Sequence, residues 1–273
     1  MRLSIIICTS PGRAENLGYC LEMLTRQSLP AHEIWVEEDG QSDSQACAER
    51  FSSRLPLCYH SRPRDFCVAR SRNQGARRAR GDFLIFLDGD ILLQPQGLEA
   101  YAAHFQAHPQ LPFFGYVGHQ TPWIAPSYFF PEKKVFAQDL RFIYHQNSFQ
   151  VLPKWEETPQ LFAWSGNCAL PRSLFEAVGG FDTGFQGPGW EDVDLGNRLV
   201  KAGFRLGFSL DAWAEHLLHA PGPPAPLQKA RNRARVGELA QAQAPLLEAP
   251  SALSGLENVL KTHYLPKGIT NKP

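Results

Sequence analysis

No apolar run in this chain approaches the ~18 residues needed to cross a bilayer as a helix. Ser4-Ile5-Ile6-Ile7-Cys8, near the start, is too short for a signal peptide's apolar region and ends in turn residues. Charge of one sign is missing too: 27 Lys and Arg balance 27 Asp and Glu, which gives nucleic acid or an acidic surface no general electrostatic footing. The six cysteines (Cys8, Cys20, Cys47, Cys58, Cys67, Cys168) are scattered, without a C-x-x-C pair or compact framework. That spacing argues against a disulfide scaffold and suits buried thiols in a reducing compartment. There are no internal repeats. The expectation is a soluble cytoplasmic protein whose 273 residues form one large domain or one and a half.

What is present is organised around Phe83-Leu84-Ile85-Phe86-Leu87-Asp88-Gly89-Asp90. Five consecutive apolar residues, closed by two acids around a glycine, read as a strand buried on both faces of a parallel sheet. Its last residues lie at the carboxyl edge, where open α/β sheets hold their ligands. Two carboxylates two positions apart repel each other unless a cation sits between them. Mg²⁺ or Mn²⁺ suits that place, since each takes oxygen ligands and bridges to phosphates. A solvated Asp-Gly turn joining two strands is the plainer alternative.

Strands and helices alternate around this stretch. Leu3 to Cys8 reads as a buried strand, Thr9-Ser10-Pro11-Gly12-Arg13 as a turn, and Asn16 as the cap of a helix with Leu17, Cys20, Leu21 and Leu24 on one face. Glu33 to Val36 is a second strand, ending in Glu37-Glu38-Asp39-Gly40. Ser42 and Gln45 suit a capping box, Leu57 to His60 a short third strand, and Asp65 the start of a helix through Arg80. This order predicts an α/β protein with a mostly parallel, Rossmann-like sheet and helices on both faces, residues 1–108 forming a nucleotide-binding half.

From Pro109 to about Gln160 proline and aromatic residues dominate without clear periodicity, which predicts loops and short strands over one side of a pocket. Most of these rings, from Phe113 and Trp123 to Trp155, belong to the core; one or two are free to stack on a sugar face. Order returns with a strand over Trp164 to Leu170 and a helix from Pro171 to Val178 closed by Gly179-Gly180. Trp190-Glu191-Asp192-Val193-Asp194-Leu195 opens a further helix, and Phe204 to Leu210 is a strand followed by His216 and His219. Residues 109–219 are therefore expected to form the acceptor and catalytic half, and 220–273 a peripheral helical tail.

Four features converge on one pocket. Beside Asp88 and Asp90, Arg72 in Ser71-Arg72-Asn73-Gln74-Gly75 is placed to reach a diphosphate, and Gly75 lets its helix approach its neighbours. The crowd of arginines around it is equally the signature of a solvated helix face. Asp39, at the end of the second strand, is placed to accept from a nucleobase N–H, or to sit in an ordinary Asp-Gly turn. Glu191 and Asp192 open a helix whose dipole favours ionised carboxylates. Either is a candidate general base toward a hydroxyl, and either also serves as simple charge complement to a helix start.

These residues carry a resemblance to glycosyltransferase family 2, with its GT-A fold, from Ser4 to about His219. Glu33-Ile34-Trp35-Val36-Glu37-Glu38-Asp39-Gly40 is similar to the family's E-I-x-V-V-D-D-G, and Ser71 to Gly75 to its A-R-N-x-G. Phe86 to Asp90 resembles F-L-D-x-D, and Gly179-Gly180-Phe181-Asp182 through Glu191 to Leu195 resembles the G-G-F-D…E-D-x-D-L block shared with galactosyl- and N-acetylgalactosaminyltransferases. Two departures stand out. Glu38 replaces the first aspartate of the D-D pair, and the opening loop has Cys8-Thr9-Ser10-Pro11-Gly12-Arg13 where P-T-Y-N-R is usual.

The resemblance implies an inverting, metal-dependent transfer from a nucleoside-diphosphate sugar, most often a UDP-sugar, to a glycan or lipid-linked saccharide. Mn²⁺ or Mg²⁺ would be held by Asp88, Asp90 and His216, with His219 supporting the metal or touching the diphosphate. It implies donor contacts at Thr9, Arg13, Asp39, Arg72, Asp88 and Gly89, and acceptor contacts at Trp164, Gly166, Asn167, Trp190 and Glu191. Asp192 would be the base, with Glu191 holding the acceptor or the pocket. The implied location is the cytoplasm or the inner face of the membrane, with peripheral contact and no spanning segment; nucleic acid is not an expected partner. A sugar-phosphate nucleotidyltransferase would need a G-x-G-T-R loop that Thr9 to Arg13 does not provide. A glycan-binding protein on a degenerate transferase fold would not need to retain Asp88, Asp90, Glu191 and Asp192 together.

Overall fold

The computed structural model describes residues 1–118, 124–137, 139, 141–145, 148–151, 158–187, 189–219, 226–237, 247–248 and 259. Four parallel strands, β1 (Leu3–Thr9), β2 (Glu33–Asp39), β3 (Leu57–Arg62) and β4 (Phe83–Asp88), lie side by side in the order β3-β2-β1-β4. Their alternation divides the core in two. Ile5 and Ile7 of β1 join Ile34, Val36, Ile85 and Leu87 under helix α1 (Ala14–Thr25), while Ile6 and Cys8 face the other way with Leu84 and Phe86. Helix α3 (Val68–Arg78) closes that second face, following the short helix α2 (Ser44–Glu49). Helices therefore cover both sides of the sheet, as the alternation predicts.

After β4 come a short β5 (Ile91–Leu93), helix α4 (Gly97–Ala107) and β6 (Phe113–Val117). All five residues of β6 are buried, and the strand lies inside the sheet between β11 (Asn167–Pro171) and β12 (Gly207–Leu217). Helix α4 lies outside the expected elements, and β6, in the proline-rich stretch expected to hold loops and short strands over a pocket, is instead a central strand of the sheet: buried on both faces, it shows no alternation. The stretch otherwise supplies short strands, β7 (Ile124–Pro126), β8 (Lys134–Phe136) and a separate hairpin of β9 (Phe142–His145) and β10 (Ser148–Val151). Trp123 and Trp155 lie outside the described residues.

Strand β11 runs antiparallel to both β4 and β6, which ends the parallel run. Two helices follow it, α5 (Arg172–Ala177) and α6 (Glu191–Lys201), whose Leu174, Phe175, Leu195 and Leu199 pack on the α3 side. Strand β12 is longer than the predicted Phe204 to Leu210. It pairs with β6, shifts register between Ser209 and Ala214, then pairs with β5 so that His216 lies opposite Ile91. The described end of the chain adds helix α7 (Pro226–Arg235) and β13 (Leu247–Glu248).

Several predicted element ends move. Helix α1 starts at Ala14 with Arg13 as its N-cap, so Asn16 lies inside it. Helix α3 starts at Val68 and not Asp65, because Phe66 adopts φ +58° and Asp65 instead accepts hydrogen bonds from Arg70 and the Cys67 N–H. The Ser42–Gln45 capping box does not form: Gln45 reaches Glu49, and Ser42 donates to Glu38. Five of the cysteines are buried and Cys58 is exposed.

Gly75 decides how closely α3 lies on β1. A Cβ there would stand 2.5 Å from Ile6 Cγ2 and 3.2 Å from Glu37 Cγ, both on buried residues. Alanine gains about 1 kcal/mol of helix propensity over glycine, whereas overpacking a filled core costs about 1–3 kcal/mol. Gly75→Ala is expected to lose about 1 kcal/mol or more net in urea unfolding; a variant as stable as the parent would show that the α3–β1 contact yields freely.

Candidate active site

The carboxyl ends of β1, β2 and β4, the start of α6 and the end of β12 surround a cavity of about 690 Å³, within the range of small-ligand sites. Thr9, Arg13, Asp39, Arg72, Asp88, Gly89, Asp90, Trp164, Gly166, Trp190, Glu191, Asp192, His216 and His219 all line it. Among the residues singled out from the sequence, Asn167 stands apart. Its side chain is fully buried within the sheet, donating to the carbonyls of Tyr116 and Ala212 and accepting from the Tyr101 hydroxyl. With its amide saturated there, the expected acceptor contact at Asn167 does not fit this placement.

Arg72 is the centre of the charge arrangement. The guanidinium, 3% exposed, donates to Glu191 Oε1 at 2.9 Å and to Asp88 Oδ1 at 2.8 Å, with Phe181 5.2 Å from its Cζ. A planar fork can serve two carboxylates at once, which a lysine ammonium does less well. The expected solvated arginine face belongs to its neighbours; Arg72 itself points inward. Glu191 Oε2, Arg72 Nε, Thr9 Oγ1 and Ser165 Oγ are buried without protein partners, and their four residues all line the cavity. Buried polar atoms are seldom left so in a native site unless a ligand or water completes them.

Asp88, Gly89 and Asp90 form a tight turn against β1. The Gly89 N–H donates to the Cys8 carbonyl at 2.9 Å, and a Cβ on Gly89 would lie 3.1 Å from that oxygen and 3.3 Å from Thr9 Oγ1. Gly166 is as close on the other side: its Cβ would stand 3.2 Å from Asp88 Oδ2. The two acids then diverge. Asp88 pairs with Arg72, while Asp90 Oδ2 lies 3.2 Å from His219 Nε2 and 3.7 Å from His216 Nε2.

Asp90, His216 and His219 present ligand atoms within 4.8 Å of one another, and Asp90 Oδ1 is buried without a partner. Asp88 is outside this triad. His216 Nδ1 lies 3.0 Å from the Gly118 carbonyl, which must accept, so Nδ1 carries a proton and Nε2 is the atom turned toward Asp90. Three positions apart, the two histidines would diverge along a continuous strand; β12 ends at Leu217, and beyond it the His219 ring lies 5.7 Å from that of His216, both facing Asp90. Burial opposes ionisation of Asp90, but the two imidazoles outweigh it and hold the carboxyl well below its ordinary range. Burial likewise disfavours the His216 cation, and Asp90 outweighs it, so this imidazole is raised above its ordinary value. One carboxylate with two imidazoles fits a divalent transition ion such as Mn²⁺ better than Mg²⁺.

Asp39 is held in place by the backbone N–H of Asp65 at 2.9 Å and by Arg62 at 3.1 Å. Arg62, buried, also donates to the Cys67 carbonyl and Ser71 hydroxyl. Nothing in the sequence motifs singles out Arg62, although it pairs directly opposite Asp39 in the parallel register of β2 and β3. Glu38 faces away from the cavity and accepts from Ser42 and Tyr59.

At the other side, Trp190 precedes α6 with φ +80°, a left-handed conformation costly for a bulky residue and typical of over-determined functional turns. Asp192 follows one residue after the locked Glu191, and its carboxylate accepts from the Val193 N–H at 2.8 Å. Burial, with the adjacent Glu191 charge, pushes the Asp192 carboxyl up to about 7, against the pull of Arg72. Its position therefore suits proton acceptance near neutral pH.

The segment expected to be peripheral also reaches this site. Asn232 of α7 donates to the carbonyls of Gln186 and Gly189, Arg233 lies over the Trp190 ring at 5.8 Å, and Lys229 lines the cavity. No sequence motif marked Lys229, which sits in a basic run beyond the blocks that carry the resemblance.

Residues 4–179 match the model described as Glycosyl transferase family 2, and residues 154–219 the one described as N-terminal domain of galactosyltransferase. Validoxylamine A glucosyltransferase of Streptomyces hygroscopicus subsp. jinggangensis is 32% identical over 245 residues, covering 80% of this chain and 56% of that protein. The hyaluronan synthase of Pasteurella multocida is 27% identical over 226 residues, 74% of this chain and 23% of that one. The chain thus spans about half, or less, of the length of these curated relatives. Among solved structures, S. aureus TarS 1–349 in complex with UDP superposes with a TM-score of 0.60 at 16% identity, over 86% of this chain and 64% of that one. The mannosyltransferase PcManGT of Pyrobaculum calidifontis, in complex with GDP-Man and Mn²⁺, gives 0.57 at 18%, over 86% and 61%. At such identities the likeness speaks for the fold, which is GT-A. With the family model matched over 176 of 273 residues (4 to 179), the chain belongs to glycosyl transferase family 2.

Proposed function

We propose that this chain transfers a sugar from a nucleoside-diphosphate donor, UDP in the first instance, to a hydroxyl of a glycan or lipid-linked saccharide, with inversion at the anomeric carbon. The observation that carries this reading is the division of one cavity into three chemistries. Asp39, the Asp90-His216-His219 triad, and Asp192 with Trp164 and Trp190 all line that cavity.

Asp39 is braced by Arg62 to accept from a nucleobase N–H. Thr9, Gly89 and Arg72 border the place of the diphosphate, where Gly89 lets a ligand approach the backbone closely. Asp90, His216 and His219 would hold a divalent cation, which supplies positive charge to a leaving diphosphate. Trp164 and Trp190 offer ring faces to the C–H surface of the acceptor sugar. The acceptor oxygen attacks the anomeric carbon as the bond to the diphosphate breaks, and its proton passes to Asp192. Glu191 is ill suited to that step because Arg72 already occupies one oxygen. A single displacement of this kind inverts the configuration. No helix among the described residues is long and apolar enough to cross a membrane.

Two expectations test this reading. Transfer should rise as pH increases through about 7, because only ionised Asp192 accepts a proton; Asp192→Asn should lower transfer by about 10²–10⁴-fold and remove that limb. The same raised pKa means that the native state keeps a proton the unfolded chain releases, so the stability Asp192 contributes falls between about pH 4 and 7. Asp192→Asn should accordingly gain stability relative to the parent on going from pH 5 to pH 8. Near-parental transfer in the variant would place the base elsewhere.

The second concerns the triad. In calorimetric titrations with Mn²⁺, His216→Ala and His219→Ala should each weaken binding by about 10–100-fold, and Asp90→Ala should remove the metal dependence of UDP binding. Unaltered Mn²⁺ affinity in both histidine variants would exclude the triad as the metal site.

A further inference from the structure

Helix α7 lies beyond both matched family models, which end at residues 179 and 219, yet it is fastened to the turn that carries the proposed base. The Asn232 side chain, 2% exposed, spends both amide hydrogens on this turn, reaching Gln186 O at 2.9 Å and Gly189 O at 3.0 Å. Its oxygen accepts from Gln228 at 3.0 Å, which fixes the amide's orientation from within the helix. Arg235 pairs with Asp182 at 2.7 Å, and Val236 is buried with Phe185 and Val193. Three kinds of contact thus hold one face of α7 to the residues just before α6. One turn before Asn232, that attachment delivers Lys229 to the cavity wall.

The charge around the cavity gives Lys229 a task. Five carboxylates line it (Asp39, Asp88, Asp90, Glu191, Asp192) against four Lys and Arg side chains. Arg72 is spent on Asp88 and Glu191 and Arg64 lies on the Phe66 ring at 4.4 Å, while Arg13 stands at the start of α1. Lys229 is exposed and has no ion pair or hydrogen bond with the described residues. A diphosphate adds further negative charge to this already acidic cavity, so each cation that meets it carries weight. A flexible ammonium of that kind is a good phosphate partner, acting as a point charge.

We propose that α7 is part of the ligand site, with Lys229 contacting the diphosphate of a nucleoside-diphosphate ligand and Asn232 holding the helix where that contact is made. The inference rests on the donor reading given above and adds to it a cation from outside the family-matched region. Calorimetry on the full chain with Mn²⁺ present, using UDP and uridine as separate probes, tests it. Lys229→Ala should weaken UDP binding about three- to tenfold, the loss of one exposed charge-assisted contact. Uridine affinity should stay within twofold, Lys229→Arg should restore most of the UDP affinity, and Arg231→Ala, an exposed neighbour on the same helix, should have no effect. The salt dependence of UDP binding should also flatten in Lys229→Ala. Asn232→Ala should reproduce the UDP defect, again without one for uridine. UDP affinity within twofold of the parent in Lys229→Ala, where the parent binds UDP, would overturn the role of α7 and leave the donor reading standing. A parent that does not bind UDP would overturn both.

Discussion

Arg72 sits almost wholly out of water between two carboxylates that the fold brings from distant parts of the chain, Asp88 at the end of β4 and Glu191 at the start of α6. Burying a charge is costly unless it is paired, and removing one partner from such an arrangement costs about 3–5 kcal/mol. The arginine is therefore tolerable only when strand and helix are both in place, which ties the carboxyl end of β4 to the start of α6. The pairing also sorts four acids into different work. With Asp88 and Glu191 bound to the guanidinium, Asp90 remains for the histidines and Asp192 for the proposed proton transfer.

That allocation explains why the site uses pairs of adjacent acids whose members behave differently. Asp88 and Asp90 are two residues apart but face Arg72 and the two imidazoles respectively. Glu191 and Asp192 are neighbours, yet one is held in an ion pair while the other is left with a raised pKa by burial and by Glu191 itself. Pairs of titratable groups driven apart by their surroundings are the usual way in which a site separates structural from chemical roles.

Much of this was legible in the sequence, and the reasons differ by element. Buried strands β1 and β4 announce themselves as short apolar runs ending in polar residues that line the cavity, and α1 by its apolar face of Leu17, Cys20, Leu21 and Leu24, although none of the three expected helix starts is where its cap signal put it. The parallel half of the sheet followed from that order. Strand β6 escaped because it lies in a proline- and aromatic-rich stretch and is buried on both faces, so it has no period to read. The convergence of His216 and His219 depends on where β12 ends, a boundary that local sequence specifies weakly. Arg62 and Lys229 act through tertiary neighbours alone, one across the β2–β3 register and the other through the docking of α7. Asn167 is the reverse case: it lies in a motif-bearing stretch and yet its amide is consumed inside the sheet.

The central claim is that Asp90, His216 and His219 form the metal centre at which a nucleoside diphosphate is bound, with Arg72 keeping Asp88 out of it. A crystal structure of the chain grown with UDP and Mn²⁺, with anomalous scattering used to locate manganese, addresses this most directly. The account predicts a manganese peak within bonding distance of Asp90 and both Nε2 atoms, next to the diphosphate, with the Arg72–Asp88–Glu191 bridge intact. Manganese bound by Asp88 with both histidines turned away, or a diphosphate lying outside this cavity, would contradict it.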